Sequence, residues 1–409
     1  MYFDDAPENL CILPWIAISN DPDGSVKPCC IYQDHIKDEL GNKLYVQKTT
    51  VKDILASDYM QNLRQAFREN KKPSACEICW QDERNGYTSK RIDVQQRGFF
   101  LHFDEKETLL PDWRKEPEYP MDYQMIFNNS CNLKCRSCGS SHSTQWRKEN
   151  TKFDGDPGYD MPHKQSGEVD GKLWESRHEW YPHLYNIDII GGEPMYIKQW
   201  HTFFEELILL GYSKNITVSM STNCTLLIPD LLNKLAENFK TVTINLSIDG
   251  TKEIIEYLRH PTDWGTVYSN LLFYNNFALN ENVFIQITCT LGWLNAINII
   301  ELHDIYKKEC TNLSSIWFNI IRYPGFMSLS EAPEELKKYI SEQWKTHDWQ
   351  ENSEEILAIE RFMFSKVTSD EDFKKSCEKF KTIDARRNEN LYDVIPKEYK
   401  NFLEEFIDE

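Results

Sequence analysis

Glycine and proline are scarce, at 16 and 17 residues in 409. That excludes collagen-like chains and Gly/Pro-rich low-complexity segments. Bases are outnumbered, with 46 Lys and Arg against 65 Asp and Glu, for a net charge of −19. No long Lys/Arg run or basic stripe breaks this pattern, so a duplex nucleic-acid binder is excluded. No apolar stretch approaches the ~20 residues that span a bilayer, so no membrane span is expected. The first residues, Met1-Tyr-Phe-Asp-Asp, carry neither a basic nor an apolar signal region. A cytoplasmic location is the expectation that follows. Cysteines number 12 of 409, too few for a disulfide scaffold. Clustered cysteines in a large cytosolic chain point instead to metal binding or catalysis.

Apolar residues make up 40% of the chain and aromatics 13%, which is enough for a sizeable core and excludes bulk disorder. The length allows two or three domains of roughly 100–200 residues. Residues 1–95 read as a small α+β unit. Trp15–Ser19 is a candidate strand, Asp21–Gly24 a turn, and Val26 starts a second strand. Helical spacing of Val51, Ile54, Leu55, Tyr59, Leu63 and Phe67 predicts one amphipathic helix over about 51–69. A linker over 96–120 follows. Residues 121–325 alternate strands and helices, with strands predicted at Tyr123–Asn128, Asn186–Ile190, Ile216–Met220, Val242–Ile248, Val283–Leu291 and Ser315–Ile321. Six such strands argue a parallel sheet, open or curled into a partial barrel. Such folds place their chemistry at the carboxyl ends of the strands. Residues 151–175 read as an irregular insertion. The tail, 326–409, reads as a helical extension; from Leu329 onward it holds 21 acids and 13 bases, an acidic solvated surface by default.

One cysteine group stands directly after the first barrel strand. Cys131-Asn-Leu-Lys-Cys135-Arg-Ser-Cys138 puts three thiolates on one tight loop, able to hold three irons of a cubane cluster. With no fourth cysteine nearby, the remaining iron would stay open to a ligand. A zinc site with three thiolate ligands is the alternative. Gly191-Gly-Glu-Pro194 ends the second strand, where glycines let backbone approach a ligand closely. Ser221-Thr-Asn-Cys224 ends the third and Ser247-Ile-Asp-Gly250 the fourth. In order, at the same end of successive strands, these describe one polar site.

Taken together, these motifs resemble those of the radical S-adenosylmethionine (SAM) superfamily over about 120–322. The resemblance implies a partial (β/α)6 TIM-like barrel and a [4Fe–4S] cluster on Cys131, Cys135 and Cys138. It implies SAM chelated to the open iron and cleaved by one electron to methionine and a 5′-deoxyadenosyl radical. That radical would abstract a hydrogen atom from a substrate. By motif, backbone at Gly191, Gly192 and Glu193 would take the SAM amino group. Ser221 and Asn223 would sit on the cofactor side of the third strand. Ser247 and Asp249 would line the ribose or carboxylate end, Arg259 would pair with the SAM carboxylate, and backbone near Leu291 would meet adenine. Two positions depart from the family pattern. Ser137 stands where an aromatic residue is common, and Cys224 where glycine is usual. Cys224 reads as a small buried hydrophobe.

The remaining N-terminal cysteines form a second set, Cys11-x12-Gly24-x4-Cys29-Cys30 and Cys76-x2-Cys79. This resembles the SPASM/Twitch modules that carry auxiliary clusters, though here the module precedes the barrel. The resemblance implies a second [4Fe–4S] cluster on Cys11, Cys29, Cys76 and Cys79, with Cys29 favoured over Cys30 by the Gly-x4-Cys spacing. A zinc site of four thiolates is the alternative. His142, His163, His183 and His303 lack ligand-like spacing. Asp384, Arg386 and Arg387 read as ion pairs on a helix surface. The expectation is a radical SAM enzyme acting on a peptide or protein, with a small-metabolite substrate as the alternative. It would draw electrons from a donor such as a flavodoxin or ferredoxin. From another class, a non-catalytic zinc-stabilised binding protein is the rival.

Overall fold

The computed structural model describes residues 5–84, 86–96, 112–153, 171–403 and 406. Most of the expected linker, most of the expected 151–175 insertion, and His163 lie outside the described residues.

Eight strands form one sheet. They are β1 Ala17–Asn20, β2 Val26–Lys27, β3 Asp122–Met125, β4 Asn186–Ile189, β5 Thr217–Thr222, β6 Thr241–Ser247, β7 Val283–Leu291 and β8 Ser315–Ile320. Their spatial order is β2-β1-β3-β4-β5-β6-β7-β8, parallel throughout except for the β1–β2 pair. From β3 to β8 the spatial order follows the chain. Right-handed crossovers then put the helices on one side, as in a barrel rather than a doubly wound sheet. The sheet is thus the partial α/β barrel expected from the strand pattern.

Residue alternation fixes which face does what. Buried Parallel strands covered on both faces are apolar throughout. Here they alternate: Val242, Ile244 and Leu246 of β6 are fully buried, while Thr243, Asn245 and Ser247 face the other way, half-buried. The apolar face packs on the helices. The polar face lines a lumen crossed by side-chain hydrogen bonds. Gln124 Nε2 donates to Asp188 Oδ2 at 2.6 Å, Gln286 Nε2 to Asn245 Oδ1 at 2.6 Å, and Trp317 Nε1 to Gln286 Oε1 at 3.0 Å.

The N-terminal unit differs from expectation in two ways. Trp15 and Ile16 belong to a short helix, Leu13–Ile16, with Pro14 in its first turn. The strand that follows is no private hairpin: β1 adds to the barrel sheet, with Ile18 opposite Tyr123. The long helix is two, Val51–Ala56 and Asp58–Arg68. Ser57 is extended, and its hydroxyl accepts from Met60 N at 3.4 Å, capping the second helix. At the other flank, Arg322 Nη2 donates to Asp82 Oδ1 at 2.8 Å and Tyr87 Oη to the Ala358 carbonyl at 2.5 Å. The unit therefore touches the barrel both at β3 and beyond β8.

The C-terminal part is helical, with Glu334–Thr346, Ser353–Met363 and Asp370–Arg387 its longest helices. Phe373 and Phe380 of the last meet Trp293 edge-on, at 5.3 and 5.5 Å between ring centres.

Candidate functional site

The Cys131–Cys138 loop leaves β3 and is pinned through its backbone. Lys134 N donates to the His260 carbonyl and Arg136 N to that of Leu258, both at 2.7 Å. Trp146 Nε1 donates to the Cys135 carbonyl at 2.8 Å. The three cysteines then line one cavity of about 300 Å³. Burial pushes the Cys131 thiol up to about 12, and the Cys135 sulfur adds to it. Cys138 is raised further by burial, then by Cys135 and Cys131. Three buried sulfurs that repel one another as thiolates fit a cationic iron–sulfur group, for which thiolates are the characteristic donors. Among the described residues, no three His, Cys, Asp or Glu side chains cluster as ligands to a single metal ion.

The opposite wall comes from the ends of β4 to β7. Gly192 has φ +55°, and a Cβ there would stand 2.3 Å from the Ser130 carbonyl oxygen. Only glycine lets this turn lie against the cysteine loop, where Glu193 N donates to the same carbonyl at 2.8 Å. The Glu193 carboxylate is fully buried and engaged within the protein. It accepts from Thr222 Oγ1 at 2.8 Å, Asn223 N at 2.7 Å and Met195 N at 3.1 Å. Asn223 also reaches Asn132 Oδ1 at 2.8 Å, tying the β5 end to the cysteine loop. Ser221 and Ser247 line the cavity.

Three sequence-derived positions stand elsewhere than on the cavity wall. Asp249 is buried behind it, accepting from Arg259 Nη1 at 2.6 Å and Thr290 N at 2.7 Å. It orients Arg259, which does line the cavity. Leu291 is fully buried, and its carbonyl accepts from Ile321 N at 3.0 Å in the β7–β8 ladder; Thr290 takes the place on the cavity wall. Cys224 is buried with φ +61°, its thiol directed to the Val267 carbonyl at 3.7 Å. Burial opposes the charge on Arg259, but Asp249 and the Cys135 and Cys131 sulfurs outweigh it and raise its pKa. Its Nε has no hydrogen-bond partner.

In the N-terminal unit, Cys11, Cys29, Cys76 and Cys79 line one small cavity of about 20 Å³, walled by Tyr32, Phe67 and Trp80. Burial and then neighbouring cysteines raise Cys11, and push Cys29 and Cys76 up to about 12. The donor set fits an iron–sulfur group by the same test. Cys30 stands apart, its Sγ accepting from Lys90 Nζ at 3.0 Å.

Residues 125–292 match the family model of the radical SAM superfamily, and residues 11–81 that of SPASM, an iron–sulfur cluster-binding domain. The chain carries a radical SAM domain. Its SPASM domain lies on the N-terminal side of its radical SAM domain. The cofactors that go with these domains are SAM, the [4Fe–4S] cluster that binds it, and an auxiliary cluster. No curated protein matches the chain. Among solved structures, native anSMEcpe with bound AdoMet is similar at 20% identity and a TM-score of 0.38, over 59% of this chain and 61% of that one. Streptococcus suis SuiB bound to precursor peptide SuiA is similar at 13% identity and a TM-score of 0.37, over 67% and 60%. The chain thus spans about three-fifths of the length of these structures. No helix among the described residues is long and apolar enough to cross a membrane.

The radical SAM site also recruits residues that the motifs do not mark. His142, Ser143 and Thr290 join the cavity wall. Asp384 is buried, and the Arg387 side chain is turned inward and not onto a helix surface. Asp384 accepts from Arg136, inside the cysteine loop, and from Tyr257 Oη at 2.9 Å. Arg387 lies over the Trp146 ring at 4.6 Å and pairs with Glu149 at 3.1 Å. Arg386 bonds Asn150 Oδ1 at 3.0 Å. The partners of this helix lie more than 120 residues away in the chain, beyond the reach of any local pattern.

Proposed function

We propose that the chain is a radical SAM enzyme that modifies a peptide or protein. The observation carrying this reading is the convergence of Cys131, Cys135 and Cys138 with Ser221, Ser247 and Arg259 on one cavity at the strand ends. The three cysteines would hold the SAM-binding [4Fe–4S] cluster. When bound, that group supplies the electron that cleaves SAM to methionine and a 5′-deoxyadenosyl radical, which takes a hydrogen atom from substrate. Arg259, fixed by Asp249, offers its guanidinium to the SAM carboxylate. The Gly191–Gly192 turn brings backbone within reach of the amino group, while Ser221 and Ser247 offer hydroxyls to the remaining polar edge. Cys11, Cys29, Cys76 and Cys79 would hold the auxiliary cluster, fully ligated and suited to passing electrons.

The lumen supports a peptide substrate. Its lining is polar, with Gln124, Asn245 and Gln286 among the side chains a peptide backbone would meet once their mutual hydrogen bonds are exchanged. The test is anaerobic reconstitution followed by reduction with SAM. About eight irons are expected, with release of 5′-deoxyadenosine. Deuterium should pass from a labelled peptide substrate into 5′-deoxyadenosine. Stoichiometric zinc without iron at either site would refute that site's assignment.

A further inference from the structure

Lys90 opens the helix Lys90–Gln96, just past the matched SPASM residues. Its ammonium donates to Cys30 Sγ at 3.0 Å. Cys29, on the N-terminal cysteine cavity, is within electrostatic reach on one side. Asp188 and Asp122 are within reach on the other. Asp188 belongs to the lumen face of β4, where Gln124 holds it at 2.6 Å. One lysine therefore stands between the auxiliary site and the barrel lumen. Arg91, which lines this cavity, is already neutralised: it grips both oxygens of Glu83, at 3.0 and 2.7 Å.

We propose that Lys90 is a positioning residue of the auxiliary site, whose charge raises the reduction potential of the group held by Cys11, Cys29, Cys76 and Cys79. This rests on the assignment of an auxiliary cluster to those four cysteines. Reduction adds one negative charge to a buried site, and a nearby cation stabilises the reduced form more than the oxidised one. Net charge and hydrogen bonding beside the sulfurs are established controls of cluster potential. Burial opposes the charge on Lys90; Cys30, then Cys29 and Asp188, outweigh that and keep the ammonium protonated. Asp122 is pushed up to about 6 by burial and is still mostly ionised at neutral pH, so it offsets part of the Lys90 charge from the side away from the cysteines.

The experiment uses the full chain with Cys131, Cys135 and Cys138 changed to Ala, so that only the auxiliary cluster remains. Its midpoint is read by redox titration followed by electron paramagnetic resonance. Lys90→Gln should lower the ratio of reduced to oxidised cluster at a fixed potential about tenfold, equivalent to about 59 mV for one electron. Lys90→Arg, which keeps the charge, should stay near the parent value. An unchanged midpoint in Lys90→Gln, with iron content intact, overturns the proposal. Loss of iron in Lys90→Gln overturns it too, because the lysine would then hold the module together. If the parent triple variant itself holds no iron, the auxiliary assignment fails first and the role of Lys90 fails with it.

Discussion

Replacing Arg259 separates the stability of the site from its grip on SAM. Asp249 is buried and accepts two hydrogen bonds, from Arg259 Nη1 at 2.6 Å and Thr290 N at 2.7 Å. Arg259→Ala strands that carboxylate with a single donor. Removing one partner of a buried ion pair costs about 3–5 kcal/mol, so the urea midpoint should fall clearly. Adding Asp249→Asn removes the stranded charge and keeps an oxygen for Thr290 N. Much of the lost stability should return, because coupled neighbours do not add. SAM affinity should not return. A charge-assisted bond to the SAM carboxylate is worth about 1.5–3 kcal/mol, which corresponds to an affinity loss of about 10- to 150-fold. Unfolding is followed by circular dichroism and SAM binding by equilibrium dialysis, both without oxygen and at matched iron content. A double variant that folds, keeps its iron and binds SAM like the parent would refute the role given to Arg259.

Changing Cys131, Cys135 and Cys138 together to Ala should leave about four of about eight irons and abolish 5′-deoxyadenosine release; cleavage at the parent rate would remove the triplet from the chemistry. Cys30→Ala should keep full iron content, whereas Cys29→Ala should lose auxiliary iron, and the reverse pattern would exchange their roles. Gly192→Ala should lower iron retention in the radical SAM domain, since its Cβ would stand 2.3 Å from the Ser130 carbonyl; normal iron content would show that the turn can shift. Glu389 offers a pH test. Burial works against its charge, but the His260 hydrogen bond and Arg136 overcome this and hold its carboxyl at about 2. A depressed folded-state pKa stabilises fully above the unfolded value of about 4.3. That contribution fades as pH falls toward 2. Glu389→Gln should flatten the loss of stability between about pH 4 and 2, and an unchanged slope there would contradict the pairing.

The barrel was legible because its strands alternate. Val-x-Ile-x-Leu in β6 puts apolar side chains on the helix face at a period of two, and no helix could use that pattern. The cysteine, glycine and serine positions were legible because each stands at the carboxyl end of a strand or just beyond it, where the fold collects its chemistry. What stayed hidden depended on partners distant in the chain. Nothing local to Ala17–Asn20 says that it pairs with Asp122–Gln124, more than 100 residues on. Asp249 and Leu291 occupy strand ends near the cavity, but which way a side chain turns there depends on neighbours such as Arg259. The 18-residue helix Asp370–Arg387 carries a mixture of acids and bases that reads as a solvated surface. Asp384 is buried among partners that the helix sequence does not show, Arg136 and Tyr257. The break at Ser57 is different: Ser57-Asp58 is an ordinary helix-capping pair, and the apolar spacing on either side masked it.

That distant partnership gives the cysteine loop its organisation. Cys131, Cys135 and Cys138 face the cavity, and the residues between them grip three separate elements. Asn132 exchanges hydrogen bonds with Asn223 and Thr225 beyond β5, each at 2.8 Å. Lys134 pairs with Glu149 of the helix Thr144–Lys152. Arg136 pairs with Asp384 and, at 2.8 Å, with Glu389 at the C-terminal end. Leu133, fully buried, adds an apolar anchor. A loop of eight residues has no regular ladder to hold its shape, so its sulfur positions depend on these anchors. Thiols held this way need little rearrangement to receive a cluster, since the ordering entropy has been met during folding. The C-terminal extension is then tied to the cysteine loop itself, because it supplies the two carboxylates that pair with the buried Arg136.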